Sequence, residues 1–258
     1  MASIAQDLSS HQQSADRFFF RLAASMAIII VAGFSMQWLM GRSSFAARPL
    51  VHLHAVVFMG WVALFTTQSW LGSRGSMALH RRLGWIAVAW VALMVIMALA
   101  ITVDVTRRGT APFFFRPQLF LIANPMTAFG FAALFALAIR YRRQSDWHRR
   151  LHMCAMALII GPAFGRLLPM PLLIPWAFEI CVAMGLYVPI VGMWRDRRVL
   201  GHVHPAWWRG LIAFALVFAL FEVIAWSPMG DALYGWVTAG TPGAGVDPLG
   251  FPPPPPMG

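Results

Sequence analysis

Seven long apolar stretches divide this chain, and a lipid bilayer is the environment in which such stretches fold. Each is about as long as the roughly 20 residues that a helix needs to cross a hydrocarbon core. They cover residues 19–40, 50–72, 84–104, 113–139, 151–169, 171–194 and 207–228. Of the 258 residues, 59% are hydrophobic and only 11% are charged, too few to cover a soluble core. The sequence therefore predicts an all-α membrane protein, a seven-transmembrane helix bundle. Its fifth span gives the weakest signal, because it contains Pro162, Arg166 and a glycine-rich turn of sequence.

The arginines are unevenly divided between the two ends of these spans. The N-terminal segment and the second, fourth and sixth loops carry Arg17, Arg21, Arg74, Arg81, Arg82, Arg140, Arg142, Arg143, Arg149, Arg150, Arg195, Arg197, Arg198 and Arg209. The opposite side carries Arg42, Arg48, Arg107, Arg108, Arg116 and Arg166. Because cationic residues near span ends stay in the cytoplasm, we expect a cytoplasmic N-terminus and an external C-terminus.

The charged residues also exclude two classes of function. The arginines flank spans, where anionic lipid headgroups attract them, so the formal net charge of +11 indicates the bilayer rather than nucleic acid as the partner. The chain contains no lysine, which excludes Schiff-base chemistry such as a retinal linkage in a seven-helix protein.

Composition divides the chain into three parts. Residues 1–16 are a polar N-terminal segment whose beginning we expect to be disordered. Residues 17–230 form the membrane domain. Residues 231–258 form an external tail rich in proline and glycine, which we expect to be extended and solvated. A plain tail is the interpretation that we prefer over a polyproline ligand for an external partner.

Several polar residues lie in the external half of the predicted spans. They are His54, Asn124, Arg166, Glu179 and Glu222. Ionisable side chains at membrane depth usually pair, line a cavity or bind a ligand. Two interpretations stay open: an Arg166–Glu179 ion pair that locks two helices, and a polar pocket that holds the oxygen atoms of a quinone or a similar polar head.

Three other histidines lie at the cytoplasmic ends of predicted spans. His148 and His152 are four residues apart and share a helix face, and His80 starts the third span at the same level. Such imidazoles predict either axial ligation of a haem iron or a non-haem metal site. Gly84, Ala155 and Ala157 are expected to leave room for a flat macrocycle. The alternative is an interfacial anchor, the role that we expect for Arg81, Arg82, Arg149 and Arg150.

The segments "HAVVFMGW" (54–61), "LHRRLG" (79–84) and "WHRRL" (147–151) resemble an uncharacterised family of bacterial multi-span membrane proteins and, more remotely, the cytochrome b561 superfamily. The resemblance implies a bacterial inner (cytoplasmic) membrane and a four-helix core with one histidine ligand per helix. His54 and His80 would match the first two ligands, and His148, or else His152, the fourth. The helix at 113–139 has no histidine to match the third, and Asn124 is its nearest polar candidate.

These observations favour a membrane redox protein, an electron carrier with heme b near the cytoplasmic face and a quinone site in the external half. Two alternatives stay open. One is a non-catalytic accessory or assembly subunit that binds a membrane protein partner. The other is a membrane hydroxylase with a histidine-bound metal, for which the "HVH" segment at 202–204 would add ligands to His80, His148 and His152.

Overall fold

A computed structural model of the protein describes the backbone of residues 2–41 and 46–254 and the side chains from residue 13 onward within these ranges. Arg42 and the end of the proline run, 255–258, lie outside the described residues. The helices are α1 (Ala2–Leu39), α2 (Pro49–Arg74), α3 (Met77–Arg107), α4 (Pro117–Arg140), α5 (Ser145–Ile159), α6 (Gly161–Leu167), α7 (Ala177–Ala183), α8 (Tyr187–Leu200), α9 (Pro205–Ala225) and α10 (Pro228–Thr238). Short 3₁₀ turns cover Met170–Leu173, Met184–Leu186 and Pro242–Gly245.

Six helical segments are long and apolar enough to cross a membrane, within the part of the chain that the structure describes. They are Gln13–Leu39, α2, α3, α4, the segment Ala177–Leu200 that joins α7 to α8, and α9. An all-helical, multi-pass membrane protein is therefore confirmed.

The predicted fifth span has a different form, because it is divided into α5 and α6. The break falls at Ile160, just before Gly161 and Pro162, where proline removes a backbone donor. α5 packs against α4, α8 and α9, and most of its side chains are buried. A helix surrounded by protein does not need an apolar outer face, which explains why α5 is much more polar than the other spans.

Contacts between helix ends define two ends of the bundle. At the first, which we call the histidine end, Arg149 of α5 donates to Asp16 of α1 at 3.3 Å, and the His80 ring lies beside that of His148. At the opposite end, which we call the tail end, Arg48 pairs with Asp104 near the end of α3 at 2.6 Å. The two ends separate the histidines of the predicted haem site from the C-terminal tail.

Both terminal segments are more ordered than the composition predicts. Helix α1 begins at Ala2, so the expectation of an unfolded start is wrong for residues 2–16. The tail contains the end of α10, and its later part folds back onto the bundle: Gln118 donates its backbone N–H to Pro248 at 2.8 Å, and Arg116 donates to Leu249 at 3.0 Å. Hydrogen bonds to backbone carbonyls thus hold a segment that has little apolar surface to bury.

Candidate functional site

Three histidines form a row of ring contacts at the histidine end. His80 lies in the first turn of α3, whereas His148 and His152 lie one turn apart on α5. The ring centroids of His80 and His148 are 6.2 Å apart, and those of His148 and His152 are 4.5 Å apart, with interplanar angles of 83° and 81°. We call these residues the imidazole row. The structure therefore brings together the three side chains that the sequence grouped.

A hydrogen bond fixes the ring of His148 at the centre of this row. Nδ1 of His148 lies 2.8 Å from the carbonyl oxygen of Ala138, in the last turns of α4. Because a carbonyl only accepts, Nδ1 must carry the proton, and the neutral ring keeps its lone pair on Nε2. Metal-bound histidines usually have their second nitrogen oriented in this way.

The loop between α2 and α3 positions His80. Ser76 caps α3 by accepting from the backbone N–H of Leu79 at 3.2 Å, which places His80 in the first turn. Gln68 of α2 donates to the carbonyl of His80 at 3.1 Å. Nδ1 of His80 is buried and has no hydrogen-bond partner among the described residues. A buried imidazole nitrogen without a partner is costly unless a ligand satisfies it.

His152 extends the row toward the middle of the bundle. Its ring meets the edge of Phe135 at 5.1 Å between centroids, and Phe135 in turn lies 5.7 Å from Trp61. All three histidines of the row keep part of their surface accessible. The described residues therefore do not completely enclose the imidazole row.

The distance between two rings of the row can be compared with the spacing of imidazoles that share an iron. Metal–nitrogen bonds of about 2 Å put the ring centres of two opposed axial imidazoles roughly 6 Å apart, close to the 6.2 Å between His80 and His148. In the part of the chain that is described, no group of three or more His, Cys, Asp or Glu residues has the geometry of a metal site. The non-haem metal site stays a prediction.

Part of the space expected beside the row is filled by protein. Ala155 and Ala157 are buried in the core, and a Cβ on Gly84 would lie 3.7 Å from the side-chain amide of Gln68. The expectation that these residues line a slot for a flat macrocycle is wrong for Ala155 and Ala157, and it stays a prediction for Gly84. A haem between His80 and His148 would have to enter from their accessible side.

Two other histidines whose side chains are described at this end do not join the row. His202 is exposed, and its Nδ1 lies 3.1 Å from the carbonyl of Leu200. His204 caps α9 by accepting from the backbone N–H of Ala206 at 3.1 Å, and its ring contacts Trp147. Burial lowers the pKa of His204, and the positive charge of Arg150 lowers it further, which favours the neutral form that the cap requires. Neither His202 nor His204 therefore adds a ring contact to the row among the described residues, and the metal-dependent hydroxylase stays a prediction.

A buried ion pair lies next to the row, and the sequence did not predict it. Arg150 and Asp196 are 1% and 0% exposed, and two hydrogen bonds of 2.8 Å join them. Trp207 donates its indole N–H to the same carboxylate at 2.9 Å. Phe19 of α1 covers Arg150, whose guanidinium lies 5.4 Å from the ring centroid. We call Phe19, Arg150, Asp196 and Trp207 the buried arginine cluster.

This cluster corrects the role that we expected for two arginines. Arg150 is not a headgroup anchor, because it is buried between α1, α8 and α9. Arg149 is mostly buried as well, and it pairs with Asp16 and Asp146. The only sign of this ion pair in the sequence is an aspartate within the arginine-rich segment "RDRR" (195–198). The sequence does not show that this aspartate is buried.

The predicted polar pocket is at the opposite end and is only loosely assembled. Arg166 donates to Pro162 and lies over the ring of Phe34, and among the described ion pairs there is none between Arg166 and Glu179. The locking pair, one of the two interpretations that stayed open, is therefore not formed among the described residues. Arg166 is within electrostatic range of His54, whose ring stacks on Phe58 at 4.3 Å.

The carboxylates of this pocket each keep an oxygen without a partner. Oε2 of Glu179 and Oε1 of Glu222 are buried and accept no hydrogen bond from any described residue. The Glu179 side chain is within electrostatic range of Glu222 and of Arg116. Asn124 instead donates to Phe120 on its own helix at 3.1 Å. A surface cavity of about 580 Å³ nearby is lined by residues 109–113 and the tail, and by none of these pocket residues.

No family model, curated protein or solved structure matches this chain at a significant level. The resemblance to the cytochrome b561 superfamily therefore stays a prediction, and the geometry of the imidazole row carries the functional argument.

Proposed function

We propose that this protein is a membrane electron carrier that holds a b-type haem between His80 and His148. The observation that supports this proposal is the distance of 6.2 Å between the two ring centroids, together with the Nε2 lone pair that the bond to Ala138 leaves available on His148. The bound haem would supply one-electron redox chemistry.

The residues around the row would hold and orient the two ligands. The carbonyl of Ala138 keeps the His148 ring in one tautomer, and Gln68 fixes the helix turn that presents His80. His152 is the alternative second ligand, because its ring lies next to that of His148. The buried arginine cluster holds α5 against α8 and α9, and it thereby fixes the position of His148 and His152 on α5.

A quinone site in the tail half would complete the redox function that we propose. His54, Arg166, Glu179, Glu222 and Asn124 are its candidate residues. The two buried carboxylate oxygens that lack described partners are the feature that supports it, because a hydroxyl of a quinol could donate to either.

The absorption spectrum of the purified protein tests the haem assignment. We expect a Soret band that shifts on reduction with dithionite. His80→Ala and His148→Ala should each lose nearly all bound haem, because each variant removes one of the two side chains that would hold it. His202→Ala is the matched control, since it removes an exposed histidine at the same end and should keep the haem-to-protein ratio of the wild type.

Other outcomes select the alternatives. A His80→Ala protein with its full Soret band would overturn the ligand assignment. Loss of haem in His152→Ala but not in His148→Ala would move the second ligand to His152. A colourless wild-type protein with bound iron or zinc would favour the metal-dependent hydroxylase, and a preparation without any cofactor would favour the accessory subunit.

We also propose that α5 and α6 together make a seventh crossing, with the histidine end in the cytoplasm of a bacterial cell and the tail end outside the inner membrane. At 1.5 Å of rise per residue the 23 residues from 145 to 167 would span roughly 34 Å, enough for a hydrocarbon core. Arg149 near the start of α5 pairs with Asp16, close to the start of the membrane-spanning part of α1, Gln13–Leu39. At the other end, the backbone carbonyl of Arg166 in α6 accepts a hydrogen bond from Gln37 near the end of α1. The larger number of arginines at the histidine end supports the orientation.

Thiol labelling on intact cells tests this topology. A membrane-impermeant maleimide should label Gly245→Cys at the tail end without permeabilisation, because a side chain there meets open space. It should label His202→Cys, exposed at the histidine end, only after permeabilisation. The two native cysteines are buried. Labelling of both variants in intact cells, or the reverse pattern, would contradict the orientation.

A further inference from the structure

The short helix α10 follows the last span and has two distinct flanks. α9 ends at Ala225, and α10 begins at Pro228, where proline occupies the first helical position. α10 contacts the ends of α3, α4 and α9 and the tail that follows it. A helix in this place lies at the level of the lipid headgroups if the bundle spans a bilayer.

The inner flank of α10 is attached to the bundle. Tyr234 and Val237 are buried against Leu121 of α4 and Val103 of α3. The Tyr234 hydroxyl donates to the carbonyl of Gly243 in the tail at 3.1 Å. At the edge of this flank, Asp231 accepts from Gln118 at 2.8 Å. These contacts fix which side of the helix faces outward.

The outer flank of α10 is apolar and uncovered. Met229, Leu233 and Trp236 are 58%, 38% and 78% exposed. Their spacing of four and three residues puts them on one face of the helix. We call these three side chains the outer stripe of α10. Large side chains of this kind on a single exposed face indicate a surface that is covered by an apolar partner.

The last span also has an exposed apolar surface. Exposed large apolar side chains recur along α9 at intervals of three or four residues: Ile212, Leu216, Leu220 and Val223. Trp226 is exposed in the turn that joins the two helices. Since α9 is one of the helices able to cross a membrane, lipid is the medium that covers its outer face, and the same medium reaches α10.

We propose that α10 lies in the interface of the bilayer leaflet at the tail end, with the outer stripe inserted among the lipid chains. Trp236 is the main anchor, because tryptophan prefers the headgroup level. α10 has no basic residue, so apolar burial rather than attraction to anionic lipid holds it there. The helix thereby carries the folded tail at a fixed depth, over the end of α4.

Depth-dependent fluorescence quenching tests this placement in the full-length protein. An environment-sensitive fluorophore is attached to Met229→Cys or Trp236→Cys, and the protein is placed in nanodiscs of neutral phosphatidylcholine with brominated acyl chains. Gly235→Cys is the matched control on the same helix, since a Cβ there meets open space on a side away from the outer stripe. We expect blue-shifted emission and strong quenching at 229 and 236, and neither effect at 235.

The remaining outcomes would overturn the proposal or show that something other than lipid contacts the outer stripe. Equal quenching at all three positions, or none at 229 and 236, would overturn the proposal. Blue-shifted emission that is not quenched by the brominated lipid, and that disappears when the protein is diluted in detergent, would show that a second copy covers the outer stripe. Quenching that requires anionic lipid would contradict the apolar anchoring. None of these outcomes depends on haem binding.

Discussion

Replacing Asp196 with alanine should destabilise the protein by about 3–5 kcal/mol, the usual effect of removing one partner of a buried ion pair. The carboxylate accepts two hydrogen bonds from Arg150 and one from the indole of Trp207, at 2.8, 2.8 and 2.9 Å. In the variant the guanidinium stays buried and loses its closest counter-ion, and the indole N–H loses its acceptor. Asp146 still contacts Arg150, but its own side chain is largely exposed.

The midpoint of thermal unfolding in a mild detergent measures this effect. Arg48→Ala is the matched control, because the Arg48–Asp104 pair has a short distance of 2.6 Å but is mostly exposed on the arginine side. Exposed pairs contribute about 0–1 kcal/mol, so the control should unfold close to the wild type. A loss in Asp196→Ala that is no larger than in Arg48→Ala would contradict a stabilising role for the buried pair.

A double variant separates the pair from the packing around it. Arg150→Met with Asp196→Leu removes both charges and keeps much of the volume. Apolar replacement of a buried pair is often neutral or stabilising, so the double variant should be more stable than Asp196→Ala. If both variants unfold at the same temperature, the shape of the site matters more than its charge.

The apolar stretches of the sequence were enough to predict most of the helices, because a span must bury its backbone hydrogen bonds within itself whatever its neighbours are. The form of the fifth span was not predictable in this way. Its polarity reflects the helices that enclose it, and only the assembled bundle shows that α5 is surrounded. Gly161 and Pro162 were visible as a weak point, but a break in the helix and a kink have the same sequence signal.

The candidate site shows the same limit. Helical periodicity placed His148 and His152 on one face, and the level of His80 followed from the span boundaries, so their proximity could be predicted. Arg149 and Arg150 look identical to interfacial arginines in sequence, since burial depends on Phe19 of α1 and on α8 and α9, all distant along the chain. The folded tail was missed because backbone carbonyls, which every residue has, hold it.

Gly192 should be nearly as sensitive as Asp196, although it carries no functional group. It lies one turn before Asp196 on α8, and a Cβ at this position would overlap the indole of Trp207. Trp207 is completely buried, its ring stacks on Phe19 at 6.2 Å between centroids, and its N–H is bound by Asp196, so the indole cannot move aside at low cost. We expect Gly192→Ala to lower the free energy of unfolding by about 1–3 kcal/mol, the usual range for overpacking a core.

Two further variants decide whether overlap with the indole is the cause. Gly235→Ala introduces the same methyl group on a helix where a Cβ meets open space, and it should be neutral or slightly stabilising, by up to about 1 kcal/mol. In a Trp207→Phe background the ring is smaller, so Gly192→Ala should cost less than it does in the wild type, a coupling that a double-mutant cycle of thermal unfolding measures. If the cost of Gly192→Ala is the same in both backgrounds, the glycine is required for a reason other than the fit of Trp207 against α8.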